Sequence, residues 1–231
     1  MCTAVHVSSG PAEARCAGIL TLPHARAKVP DMEAKTQKSE LTRTAIVGAA
    51  LELATDQGLE ALTLQAVADR IGISKSGVFS RVGAREALQI AVIEEFGRRF
   101  LADVFVPAMA RPRGLPRLEA IVRGWFLRLQ NAEAHAGCLF SAGAFELANR
   151  EGPLRDLLAG EIARWRGALR RTVAQAIETG ELKPGTDPDQ VVGEIYSLAL
   201  GVIHDVRFLG DGSAAHRAQI TWAKLLDLYR S

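Results

Sequence analysis

Between Thr63 and Arg85 four basic residues, Arg70, Lys75, Arg81 and Arg85, stand against one acid, Asp69, so this stretch carries a net charge of +3. The whole chain has 28 Lys and Arg against 26 Asp and Glu, net +2, which leaves the remainder at −1. A local excess of cations on a nearly neutral protein is the footprint of phosphate binding. The same stretch holds what a tight helical hairpin needs. Ala68 is small enough for a close helix crossing, Gly72 can take the positive φ of the reversal, and Val78 can anchor the second helix to the first. Exposed positions on that second helix could then enter a major groove about 12 Å wide.

The proline pattern predicts the elements around this hairpin. Three of the nine prolines lie in the first thirty residues and none follows until Pro107. An interior proline costs a helix about 3 kcal/mol, so the gaps mark where helices can run. No alternating strand-length segment with hairpin signals occurs, and the expected fold is all-α. Residues 1–31 lack periodicity and are expected to form a disordered tail, with Met32 as an alternative start. A first helix is expected over Thr42 to Gln57, with Ile46, Ala49, Ala50, Leu53 and Ala54 on one face. Thr63 should cap the second helix and Ser74 the third, Lys75 to Val82. A long fourth helix is expected from Arg85 to Val106. Further helices are expected to include one carrying Trp125, Phe126 and Leu129, then Cys138 to Asn149, one after Pro153, Asp189 to Leu209 and His216 to Tyr229. The domain reading is therefore a tail (1–31), a helix-turn-helix head (32–88) and a larger body (89–231).

The body suggests a second chemistry. Twelve of the thirteen aromatic residues follow residue 90, leaving only Phe79 in the hairpin. Small molecules bind in apolar clefts, often between helices of a bundle. Trp125, Phe126, Leu129, Cys138, Phe145, Trp165, Tyr196 and His204 are the candidates for lining such a cavity, with ordinary core packing as the alternative for each. His135 and Cys138 could share a metal, but lack a further ligand nearby, so no metal or cofactor is expected. No Gly-rich phosphate loop, nucleophile elbow or catalytic carboxylate pair is present, which argues against an enzyme.

From Thr42 to Leu88 the chain resembles the DNA-binding domain of the TetR family of transcriptional regulators. TRTAIVGAALELATDQG is similar to that family's first helix, LTLQAVADRIGIS to its second helix and turn, and SKSGVFSRVGAREAL to its recognition helix. The resemblance implies phosphate contacts at Thr63, Phe79, Arg81 and Arg85 and base reading at Gln65, Lys75, Ser76 and Gly77, with Ser74 at the same surface. The sequence departs from the family pattern at four of its positions: Phe79 stands where tyrosine is usual, Gly77 for threonine, Val82 for phenylalanine and Gly83 for proline. Lys75 and Gln65 then carry most of the direct readout, being suited to guanine and adenine edges.

The penultimate helix has two apolar faces, one on Val191, Ile195, Leu198, Val202 and Val206, the other on Val192, Tyr196, Ala199 and Ile203. With Gly193, Gly201 and the last helix it reads as half of a four-helix homodimer interface, as the resemblance also implies. The expected function is a repressor released from a palindromic double-stranded DNA operator by a small apolar or aromatic effector. Two alternatives stand beside it: a helical small-molecule-binding protein with weakened DNA binding, and a ligand-dependent activator. No apolar run approaches the ~18 residues of a membrane span. Three widely spaced cysteines (Cys2, Cys16, Cys138) fit a reducing cytoplasm.

Overall fold

The computed structural model describes residues 30–130 and 138–231, with side chains from residue 37 onward. Cys2, Cys16 and His135, and the expected tail up to residue 29, lie outside the described residues. Helix α1 runs Pro30–Gln57, and so starts well before the predicted Thr42 and two residues inside the expected tail. Residues 37–45 of it are largely exposed, and the apolar repeat begins only at Ile46. Pro30 suits the first helical position, where a missing N–H costs nothing. The helix ends at Gly58, with φ +94°.

Helices α2 (Leu64–Ile71) and α3 (Lys75–Val82) form the hairpin. Helix α4 covers Arg85–Phe100. The predicted single helix to Val106 is interrupted by a π-helical turn, Leu101–Phe105, in which the Val106 N–H donates to Leu101 O. A short α5, Val106–Ala108, then carries the rod through Pro107. Pro107 has no N–H, and its ring would press on the carbonyl four residues earlier. Widening the helix just before it relieves that conflict.

Helix α6 spans Leu115–Gln130, α7 Leu139–Glu146, α8 Pro153–Glu178, α9 Pro188–Arg207 and α10 Ala214–Tyr229. Helix α7 is shorter than the expected Cys138 to Asn149. Among the described residues there is no strand, only an isolated bridge between Leu182 and Arg230. Helix α1 packs on α2, α3 and α4 to make the head. In the body α6, α8 and α9 pack on one another, α10 packs on α6 and α9, and α7 lies against α8 and α4. Helix α8 buries Leu158, Trp165, Leu169 and Val173.

Helix α9 finds partners for both apolar faces within the chain, on α6, α8 and α10. Val191, Val192, Ile195, Ala199 and Val202 are buried there. Two apolar faces thus do not by themselves demand a second copy. Leu200, Phe208, Leu209, Ile220 and Leu228 stay exposed along α9 and α10 and the turn between them, and a Cβ added at Gly193 or Gly201 would meet nothing within 4 Å.

Candidate nucleic-acid interface and cavity

Short-range chemistry fixes the hairpin. The Thr63 hydroxyl accepts from Ala66 N at 3.1 Å and the Ser74 hydroxyl from Gly77 N at 3.1 Å, so each helix has one of its first N–H groups satisfied. Gly72 turns the chain at φ +70°, donating to Ala68 O. Ala68 and Val78 are both fully buried. Gly83 closes α3 at φ +81°, and its N–H donates to Phe79 O at 2.8 Å. Proline, fixed near φ −65°, could not follow that path. The departure from the family pattern at Gly83 is thus built into the exit from the recognition helix.

The exposed side of the hairpin carries Gln65, Ser74, Lys75, Ser76, Phe79 and Arg81. Phe79 is 56% exposed. Lys75 has no partner among the described residues, and Arg81 makes one long hydrogen bond to Ser39 Oγ at 3.4 Å. Gln65 donates to Asp69 Oδ1 at 2.7 Å. A Cβ at Gly77 would lie 3.2 Å from Ser74 Oγ, so the glycine leaves room for the cap.

Two of the four hairpin cations are committed within the protein. Arg70 pairs with Glu52 at 2.8 Å. Arg85 turns inward: its Nε donates to Leu62 O at 2.8 Å and a terminal N–H donates to Glu60 O. Buried Gln89 adds a bond to Leu59 O at 2.7 Å. The start of α4 thus clamps the loop between α1 and α2, a role the sequence did not reveal.

The body contains a partly open cavity of ≈ 160 Å³ between α4, α6, α7, α8 and α9. Five predicted residues line it: Trp125, Cys138, Phe145, Trp165 and Tyr196. Phe100, Phe140, Ser141, Ala144, Ile162 and Leu200 complete the wall. Phe126 and Leu129 are buried elsewhere in the core, and His204 lies exposed on α9, 3.0 Å from Asp205 Oδ1 and beside Phe208. Phe145 and Leu200 are the exposed members of the wall. Burial pushes the Cys138 thiol and the Tyr196 hydroxyl up from their ordinary values, so both are neutral at neutral pH. Among the described residues no group of three His, Cys, Asp or Glu side chains is placed to hold a metal. A more open groove of ≈ 420 Å³ between α6 and α10 has a charged rim of Glu119, Arg123, Asp227 and Arg230. Its openness and charge fit an apolar ligand less well than the aromatic cavity does.

Helix α7 joins cavity and head. Its first turns supply Phe140, Ser141 and Ala144 to the wall, and at its end Glu146 accepts from Glu60 N at 2.9 Å. A Cβ at Gly143 would come within 2.8 Å of Leu59 Cδ1, so the helix approaches the α1–α2 loop at close range. Arg150 also pairs with Glu60. Helix α4, with Phe100 in the wall and Arg85 and Gln89 on the same loop, makes the second connection.

A model of the tetR family of bacterial regulatory proteins matches residues 46–92, and one of the tetracyclin repressor-like C-terminal domain matches residues 114–222, together more than half of the chain. No curated protein matches the chain. Among solved structures it is similar to a TetR transcriptional regulator from Chloroflexus aurantiacus J-10-fl, at TM-score 0.75 and 20% identity over 84% of this chain and 98% of that one. A TetR family regulator from Cytophaga hutchinsonii gives TM-score 0.71 and 17% identity over 84% and 96%. AibR in complex with isovaleryl coenzyme A and operator DNA gives 0.62 and 18% over 81% and 97%. At these identities the likeness is one of fold. No helix among the described residues is long and apolar enough to cross a membrane. The capped hairpin, the helical body behind it and both family models lead to one conclusion: the chain belongs to the TetR family, and is a DNA-binding transcriptional regulator rather than an enzyme.

Proposed function

We propose that the protein is a cytoplasmic homodimeric repressor that leaves its operator when a small apolar or aromatic molecule fills the aromatic cavity. The observation that carries this reading is the junction at residues 58–63. Elements of the cavity wall, α7 and α4, hold the loop that leads into α2 through Glu146, Arg85 and Gln89. Occupancy that shifts either helix moves the base of the hairpin. Lys75 and Gln65 read base edges, with Ser76 and Gly77 beside them. Thr63, Phe79 and Arg81 lie against the phosphates, and Ser74 holds the recognition helix in shape. Arg85 adds positive potential while it braces the loop.

Dimerisation through the exposed faces of α9 and α10 would set two hairpins about one turn of DNA apart, roughly 34 Å, or a multiple of it, so the operator is palindromic. That AibR has been captured with both an acyl coenzyme A and operator DNA supports the pairing of the two sites on this fold.

The test is a gel-shift titration of the chain's own upstream DNA, with and without a molecule shown to occupy the cavity. Occupancy is expected to weaken operator binding by about 5- to 150-fold, the usual span of such coupling. Glu146→Gln is expected to shrink that factor and leave ligand affinity in place. A ligand that binds tightly without altering operator affinity contradicts the repressor reading, and one that tightens it makes the protein a ligand-dependent activator or a corepressor-dependent repressor. DNA binding that is weak and insensitive to salt would favour a ligand-binding protein without an operator.

A further inference from the structure

The end of helix α1 is completed from a distant part of the chain. The last carbonyls of a helix have no partner inside it, and its C-terminus carries about half a negative charge. Gly58 N donates to Ala54 O at 2.9 Å, and the last turn of α1 holds no Lys or Arg of its own. The missing cation comes from α9. Arg207, 152 positions further along, donates from its guanidinium to Thr55 O at 2.9 Å. Arg207 also stands in the last turn of α9. One guanidinium thus sits between the negative ends of two helices, one in the head and one in the body.

The helix that supplies this bond is the one assigned above to the dimer, a reading on which the inference rests. Helices α4 and α7 reach the head from the cavity wall. Helix α9 packs on α6, α8 and α10, and among the described residues Arg207 makes the one hydrogen bond from α9 or α10 to the head. A head that swings about α4 moves its recognition helix relative to the two-fold axis. A tie from α9 to the end of α1 removes that freedom. Little freedom is needed to misread a spacing, because one base pair adds only about 3.4 Å of rise and roughly 35° of rotation between half-sites.

We infer that Arg207 is a positioning residue for operator recognition: by tying the end of α1 to α9 it fixes each head against the dimer axis, and so sets the half-site spacing that the dimer accepts. It touches no DNA itself, and its effect is on the distance between two recognition helices rather than on the grip of either one.

The experiment uses the full-length protein and the site it retains from fragmented genomic DNA, remade with one or two base pairs added or removed at its centre, together with a duplex of one half-site. Competitive titration is expected to show the natural protein losing about tenfold or more in affinity for a change of one base pair, and Arg207→Ala less than about threefold. Both should bind the single half-site equally. Arg207→Lys keeps the charge and one donor, and should restore most of the contrast. Arg207→Ala that discriminates spacings as the natural protein does overturns the inference. So does a variant that loses affinity for every duplex alike, the half-site included, which is what a merely structural bond predicts.

A second measurement needs no DNA. Nitroxide labels on Thr44→Cys in α1 and Arg171→Cys in α8, with Cys2 and Cys16 replaced by serine and labelled chains diluted in unlabelled ones, report the head-to-body distance by pulsed EPR. The distribution should be narrow with Arg207 or Lys at this position and broader in Arg207→Ala; equal widths overturn the tie. Sedimentation separates the two readings. A natural protein that sediments as a monomer contradicts the dimer and the spacing role with it, whereas a proven dimer that binds all spacings equally contradicts this inference alone.

Discussion

The recognition hairpin takes all its parts from one contiguous stretch, Thr63 to Gly83, while the cavity gathers its wall from five helices between Phe100 and Leu200. In the hairpin the cap and turn bonds are all local: Thr63 to Ala66, Ser74 to Gly77, Gly72 to Ala68, Gly83 to Phe79. In the cavity Trp125 meets Trp165 and Tyr196 across the bundle. A local device tolerates change around it but fails when one special backbone position is altered. A cavity wall built from distant helices loses shape gradually, through packing. Between them lies the 58–63 loop, held from both α4 and α7.

The sharpest way to break this contrast is Gly83→Pro, which installs the residue usual in the family. With φ at +81° and the N–H bonded to Phe79 O, the substitution should cost about 3 kcal/mol and abolish operator binding. Urea unfolding and gel shift check it, and an unaffected variant would mean that α3 ends differently.

Next come two cations that charge counting treats alike. Arg85→Ala should cost about 2 kcal/mol of stability through the freed carbonyls of Glu60 and Leu62 and weaken operator and random DNA equally. Lys75→Ala should leave stability unchanged and lower discrimination between operator and random DNA by about 1–2 kcal/mol. Equal losses of specificity from both would refute that division. The smallest effect expected is from Phe79→Tyr, where a restored phosphate hydrogen bond should tighten binding by about 1 kcal/mol, read from competitive titration.

The local half of the molecule was the legible half. Thr63, Ser74, Gly72 and Gly83 can be recognised because cap and turn chemistry acts within four residues. What escaped depends on longer range. The early turns of α1 consist of helix-forming residues with no apolar stripe to mark them, and Pro107 reads as a stop until a π-helical turn before it is seen. Phe126 and Phe140 are both buried and equally apolar, yet only Phe140 faces the cavity, because helix rotation decides it. His204 follows Ile203 on a largely apolar helix, yet it points to Asp205 in solvent. The +3 charge of the hairpin counted Arg70 and Arg85, whose partners Glu52, Glu60 and Leu62 are set by tertiary packing.

A capped, basic hairpin that reads DNA as one half of a symmetric pair must select a two-fold site. Incubating the purified protein with fragmented genomic DNA, sequencing what it retains and titrating the recovered site across salt concentrations puts this to the test. The expected result is a shared palindromic site, bound more weakly as salt rises and no longer preferred over random DNA when Lys75 is replaced by alanine. Retained fragments with no common two-fold sequence, or a preference that survives Lys75→Ala intact, would contradict it.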